Sequence, residues 1–346
     1  MIETDALVIG AGPVGLFQVF ELGLLGIHAH VLDVLDYPGG QCTELYADKP
    51  IYDIPGVPVC TGGELTQNLL RQIAPFAASF HWGQQVNTLA RQADGRWLVS
   101  TSAQQQFLAR TLFIAAGVGA FVPRELKVDG LAVFLGHQLF YRSAPQAACA
   151  GQNVVIVGGE DEAVANALTL ALPGPNRAKS VTLVHRRDVL QASAAQLAEF
   201  ARLRQAGALH FLAGQITGVN AANNTLSSVV ISTPEDQTLT LPLDTLLVCL
   251  GVSPKLGPLT QWGLAMERKQ LSVNTETFAT SEPGIFAVGD VITYPGKKKL
   301  ILCGFHEATL AAFAAAELIH PQASTVLQYT TSSALLQQRL GVKPQA

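Results

Sequence analysis

What the chain lacks sets its first limits. It has five cysteines in 346 residues, Cys42, Cys60, Cys149, Cys249 and Cys303, with no C-x-x-C and no zinc-ligand spacing. A disulfide framework and a structural zinc site are excluded, and reduced, mostly buried thiols are expected. Charge is scarce, at 14 % of residues with a net value of −4, which excludes a globally basic nucleic-acid binder. No charged-then-apolar leader precedes the first strand. No apolar run reaches the length of a membrane span, because Val154–Val157 and Leu246–Leu250 are strand-sized. A cytoplasmic protein with neither a nucleic-acid nor a membrane partner is expected. Apolar residues make up 49 % and glycine occurs 31 times, a balance that suits buried parallel sheets joined by tight turns. The length supports two domains, each burying its own core.

One device occurs twice. Asp5–Gly15 is an apolar strand running into G-x-G-x-x-G, with Gly10, Gly12, Pro13 and Gly15 leading into a helix over 14–25. The next strand, His28–Asp33, ends on an acid placed to hold a ribose hydroxyl. Asn153–Ala163 repeats the strand and turn with Gly158 and Gly159, but has Glu160 where the second motif glycine belongs. Glycine there lets backbone N–H groups approach a pyrophosphate, so a carboxylate damages the anion site. The return strand Ser180–His185 runs into Arg186 and Arg187, a guanidinium pair suited to a 2′-phosphate.

Arg96–Ser102 and Phe107–Arg110 alternate as a hairpin would, and Thr111–Gly117 reads as a separate buried strand. Thr245–Leu250 ends at Gly251, and an alanine-rich helix is expected over Glu307–Leu318. The strands ending at Gly117 and Gly251 bracket the second unit. The expected fold is α/β, with two Rossmann-like domains, the second inserted into the first. Their expected extents are 1–118 with 252–346, and 119–251.

Further motifs carry a resemblance. Thr280–Asp290 looks like the second FAD motif of two-dinucleotide-fold flavoproteins. With Pro38-Gly-Gly-Gln41, Leu45–Asp53, Ala116–Arg124, Lys299–Ile301 and Gly304–Ala308, it is similar to the thioredoxin-reductase-type ferredoxin/flavodoxin–NADP reductases over nearly the whole chain. The resemblance implies an FAD-dependent oxidoreductase. It places FAD on Gly10, Gly12, Pro13, Gly15, Asp33, Gly40, Gln41, Asp53, Gly117, Phe121, Gly289 and Asp290, with Glu307 and Ala308 near the flavin pyrimidine. Tyr46 matches a tyrosine stacking on the isoalloxazine. Tyr329 falls where these reductases cover the other flavin face, often from the partner subunit of a homodimer. NADP(H) is implied at Gly158, Gly159, His185, Arg186 and Arg187, weakened by Glu160 and by Gln191 in place of a further arginine. Val133–Tyr141 has no cysteine where thioredoxin reductases carry C-x-x-C, which excludes dithiol exchange by that route.

Three readings stay open. The first is an NADP reductase serving a ferredoxin, flavodoxin or thioredoxin-like electron carrier, for which Lys297–Lys299 is either a landing patch or a solvated loop. The second is a pyridine-nucleotide-independent diflavin oxidoreductase with a second FAD in the inserted domain. Cys42 and Cys303 then become candidate redox thiols, against a packing role for each. The third is a flavin-binding sensor without turnover. His306 is either a proton donor near the flavin or a packed, hydrogen-bonded side chain.

Overall fold

The first apolar run forms β1 (Ile2–Ile9), followed by α1 (Pro13–Leu24) and β2 (Ala29–Leu32), in a computed structural model that describes residues 1–322 and 327–342. Contacts divide the chain into two units, Met1–Ala120 with Pro254–Ala346, and Phe121–Ser253. The chain crosses between them within strands Ala120–Pro123 and Val252–Lys255.

In the first unit, Ala6, Leu7 and Val8 are fully buried because β1 lies inside a sheet covered on both faces. The strand order is Ser79–His81, β2, β1, Gln106–Ile114, Trp97–Thr101, Val86–Arg91. Gln106–Ile114 corrects the sequence reading, which split it in two. Both apolar halves lie in one nine-residue strand, interrupted only by exposed Arg110, which pairs with Asp5 at 3.4 Å. One edge of this strand takes β1 in parallel along its length. The other edge changes partner, taking Trp97–Thr101 antiparallel at residues 106–109 and Ile285–Ala287 parallel at residues 112–114.

The helix expected over Glu307–Leu318 begins earlier and spans Ile301–Ile319. Its Ala308, Ala311, Ala312 and Ala315 recur at helical spacing and are fully buried, and the helix packs on α1. Gly304 permits the approach, since a Cβ there would lie 2.3 Å from Cγ2 of Val14. With 19 residues and a mean hydropathy of 1.3, this helix is long and apolar enough to cross a membrane, contrary to the sequence reading. Its alanine face and the fully buried Glu307 make it a core helix of the first unit.

In the second unit, β3 (Asn153–Val157), α2 (Asp161–Ala171) and β4 (Ser180–His185) repeat the first three elements. The parallel sheet runs Leu139–Tyr141, Thr245–Val248, β3, β4, His210–Ala213. Alternation along β3 divides the core. Val154 and Ile156 pack with Val164, Phe200 and Leu203 of the helices. Val155 and Val157 pack with Ile216, Val229 and Ile231 of a three-stranded antiparallel sheet.

Candidate functional site

At the N-terminus of α1 the first glycine turn is tied on both sides. Gly10 N donates to Leu32 O at 2.8 Å, and Ala115 N donates to Ile9 O at 2.8 Å. Asp33 holds the turn from below, its Oδ2 accepting from Ala11 N at 2.6 Å and its Oδ1 from Leu35 N at 2.9 Å. Burial pushes the Asp33 carboxyl up, and the donations from Ala11, Leu35 and Val34 oppose that shift. Gly39 N donates to Ala11 O at 2.9 Å, and a Cβ on Gly40 would lie 3.1 Å from Cα of Gly12. Gln41 follows, its Nε2 donating to Oδ2 of Asp290 at 3.0 Å, with Gly117 against the same amide. A Cβ on Gly12 would meet nothing within 4 Å, and α1 has no acid in its first turn. Pro13 stands at its start, where a missing N–H costs nothing. This open cradle, at a helix N-terminus with no acid in the helix's first turn, fits the diphosphate of FAD.

Tyr46 and Cys42 lie one helical turn apart, with Sγ 3.6 Å from the phenol oxygen. Burial, followed by the Cys42 hydrogen bond, pushes the Tyr46 hydroxyl well up, with Asp290 and exposed Asp53 near enough to add to the shift. Cys42 is fully buried, and burial raises its thiol as well. It has neither the exposure nor the lowered pKa that a redox thiol requires. Cys303 is half-buried on the long helix, and burial pushes Cys249 up to about 12. His306 is exposed, and its side chain makes no hydrogen bond among the described residues. Phe121 lies in the strand that crosses between the units. Tyr329 is 66 % exposed in the C-terminal segment, its carbonyl accepting from Ser332 and Ser333.

Glu307, placed near the flavin by the resemblance, has partners that the sequence did not disclose. Its Oε2 accepts from Gly289 N at 2.7 Å, next to Asp290, and its Oε1 accepts from Tyr294 at 2.8 Å and from Lys297 at 2.5 Å. The Lys297 side chain is only 6 % exposed, so it is no part of a surface landing patch. A fully buried carboxylate requires a counter-charge, and this lysine provides it. Lys298 and Lys299 remain exposed. Gln18 did escape the sequence reading: it is fully buried, donates to Ala308 O at 3.1 Å, and leaves its Oε1 without a partner. No local pattern announces it.

Around the second turn the backbone is alike and the side chains differ. Gly158 N donates to Val184 O at 3.1 Å, and Cys249 N to Val157 O at 2.7 Å. The His185 ring lies over Gly159, where a Cβ would come within 2.5 Å of it. Burial, then Arg186 and Arg187, lower the His185 pKa, while Glu160 opposes them. Arg186, Arg187 and Glu160 are exposed, and Glu162 pairs with Arg142 at 3.0 Å.

Residues 4–312 match the family described as pyridine nucleotide-disulphide oxidoreductase, and the chain belongs to it as an FAD-dependent oxidoreductase. Among its relatives, a ferredoxin–NADP reductase of Albidiferax ferrireducens is 60 % identical over 342 residues, covering 99 % of this chain and 97 % of that one. A ferredoxin–NADP reductase of Polaromonas sp. (strain JS666) is 58 % identical, with coverage of 99 % and 93 %. The fold is that of the thioredoxin reductase of T. acidophilum, with a TM-score of 0.57, 19 % identity, and coverage of 92 % and 99 %. The bacillithiol disulfide reductase of Staphylococcus aureus gives 0.58 at 17 %, covering 90 % and 98 %.

A pH effect follows from the packing of α1. Burial raises Glu21 from its ordinary 4.5 to about 7, partly offset by a Thr309 hydrogen bond. The folded state therefore holds this proton more tightly than the unfolded chain. Stability falls as pH rises from 4.5 to 7 and is level above, by about 3 kcal/mol in all. Glu21→Gln should raise the urea midpoint at pH 8 and leave it nearly unchanged at pH 4.5; equal shifts at both pH values would refute the burial argument.

Proposed function

We propose that the chain is a reductase that passes electrons from NADPH through FAD to a ferredoxin- or flavodoxin-type carrier. In this reading the first unit holds FAD and the second holds NADP(H). The observation that carries it is the open cradle at Gly12, facing Gly40, Gln41 and Asp290, in a chain with ferredoxin–NADP reductase relatives of such high identity. FAD, when bound, converts hydride transfer into single-electron steps. The N-terminus of α1 takes its diphosphate, Asp33 a ribose hydroxyl, and Gln41 with Asp290 the ribityl end. Tyr46 stacks on the isoalloxazine, and Glu307 fixes the turn that carries Asp290. Arg186 and Arg187 hold the 2′-phosphate of the nucleotide. Lys298 and Lys299 steer an acidic carrier.

The enzyme works in the cytoplasm as a homodimer. Exposed Leu327, Tyr329 and Leu335 support an interface there, through which Tyr329 of the partner subunit covers the flavin. Sedimentation of the purified holoenzyme tests this, and a monomer would count against it.

A second reading draws on Glu160. The damaged turn favours a second domain that has lost pyridine nucleotide, with another flavin in its place. One titration separates the two. The purified protein is assayed for flavin per chain, then titrated anaerobically with NADPH. One flavin per chain with prompt bleaching supports the reductase. Two flavins, or no bleaching, reject it.

A further inference from the structure

The repeated device permits a comparison inside one chain. Gly10 and Gly158 have positive φ, +112° and +154°, and a Cβ on either would strike a carbonyl oxygen ending a neighbouring strand. That oxygen belongs to Ala115 at 2.4 Å in the first unit and to Cys249 at 2.2 Å in the second. The helix caps agree as well, with Gly12 at φ −68°, ψ 177° and Glu160 at φ −107°, ψ 175°. The backbone cradle has therefore been kept in both units.

The space beyond the cap is what differs. It is open at Gly12 and holds a carboxylate at Glu160. Oε2 of Glu160 lies 4.0 Å from the Cβ position of Gly251, on the Thr245–Val248 side of β3. The same carboxylate acts on His185 at the end of β4, on the other side. It thus stands over the carboxyl end of β3, where a parallel sheet receives its nucleotide. Helix capping does not explain it, since Glu160 makes no side-chain cap hydrogen bond, unlike Thr61 and Ser193 at two other helices. Asp161 and Glu162 add further negative charge to the first turn, the latter paired with Arg142.

We propose that Glu160 weakens the pyrophosphate half of this site, so that a nucleotide is held chiefly through its 2′-phosphate by Arg186 and Arg187. The inference rests on the NADP(H) reading of the second unit. A carboxylate facing the diphosphate penalises NADP+ and NAD+ alike. It lowers the affinity for NADP+ and NAD+ by the same factor and leaves their ratio to the arginines. A ligand carrying the 2′-phosphate without the diphosphate escapes the penalty.

Calorimetric titration of the holoenzyme with NADP+, NAD+ and adenosine 2′-monophosphate tests this. Glu160→Gln and Glu160→Gly are each expected to tighten both dinucleotides about tenfold. Adenosine 2′-monophosphate should stay within about twofold of its original affinity, as it lacks the group the carboxylate opposes. Glu160 is exposed, so neither variant threatens the core. Unchanged NADP+ affinity in Glu160→Gln overturns the inference while leaving the reductase reading intact, as does a gain for adenosine 2′-monophosphate equal to that for NADP+. If none of the three ligands binds any version, the NADP(H) reading itself fails and the inference goes with it.

Discussion

Lys297→Met is expected to destabilise the first unit by about 3–5 kcal/mol and to loosen its hold on FAD. Glu307 is fully buried, and Lys297 is the cation beside it. Without the lysine, the carboxylate keeps donors from Gly289 and Tyr294 but has lost its counter-charge. A buried charge in that state is far costlier than an absent pair. The double variant Lys297→Met, Glu307→Met should recover much of the loss, although Gly289 N is then left short of an acceptor, at about 1–3 kcal/mol. Lys298→Met, at an exposed neighbour, should change stability by less than about 0.5 kcal/mol. Urea midpoints of the three proteins, with flavin retention on a desalting column, provide the readings. If the single variant lost no more than the Lys298 control, the pair would have only the small worth of a surface ion pair.

Two glycines of the first turn should respond in opposite ways to the same substitution. A Cβ on Gly15 would lie 1.9 Å from Gly10 O and 3.0 Å from Gly10 C, both backbone atoms with no rotamer to escape into. Gly15→Ala must therefore part α1 from β1, at a cost of about 3 kcal/mol, with FAD lost as the cradle deforms. Gly12→Ala meets no protein atom within 4 Å. It should fold with a near-normal melting temperature yet bind FAD at least about tenfold more weakly, because the methyl enters the space proposed for the diphosphate. Apoprotein melting and FAD titration of the two variants check both halves. Tight FAD binding by Gly12→Ala would show that the diphosphate lies elsewhere.

The glycine turns were legible in the sequence because their chemistry is local: strand, turn and helix follow one another within a dozen residues. The family resemblance and the two Rossmann-like folds followed from those turns and the motifs around them. Gln106–Ile114 was divided because Arg110 looks like the end of a strand, whereas its guanidinium simply reaches the surface and Asp5. The long helix was started late because Gly304 reads as a breaker, and only its contact with Val14 explains why glycine is needed inside a helix. Lys297 was taken for a surface charge because it lies among three lysines, and burial cannot be read from such a run. Glu21 and Gln18 face the long helix from α1, a pairing between distant parts of the chain that no short window contains.

The change of partner along Gln106–Ile114 has a consequence for how the protein is made. Residues 112–114 wait for Ile285–Ala287, which the ribosome delivers only after the whole of Phe121–Ser253. At about 5–20 residues per second, the delay is on the order of ten to thirty seconds. Throughout it the nascent first unit carries half an apolar strand with one edge unpaired, a surface prone to capture another chain. The second unit, already complete, can fold in that interval. The turn bearing Asp290 and the helix bearing Glu307 emerge later still, so in the proposed site flavin binding belongs to the closing moments of synthesis.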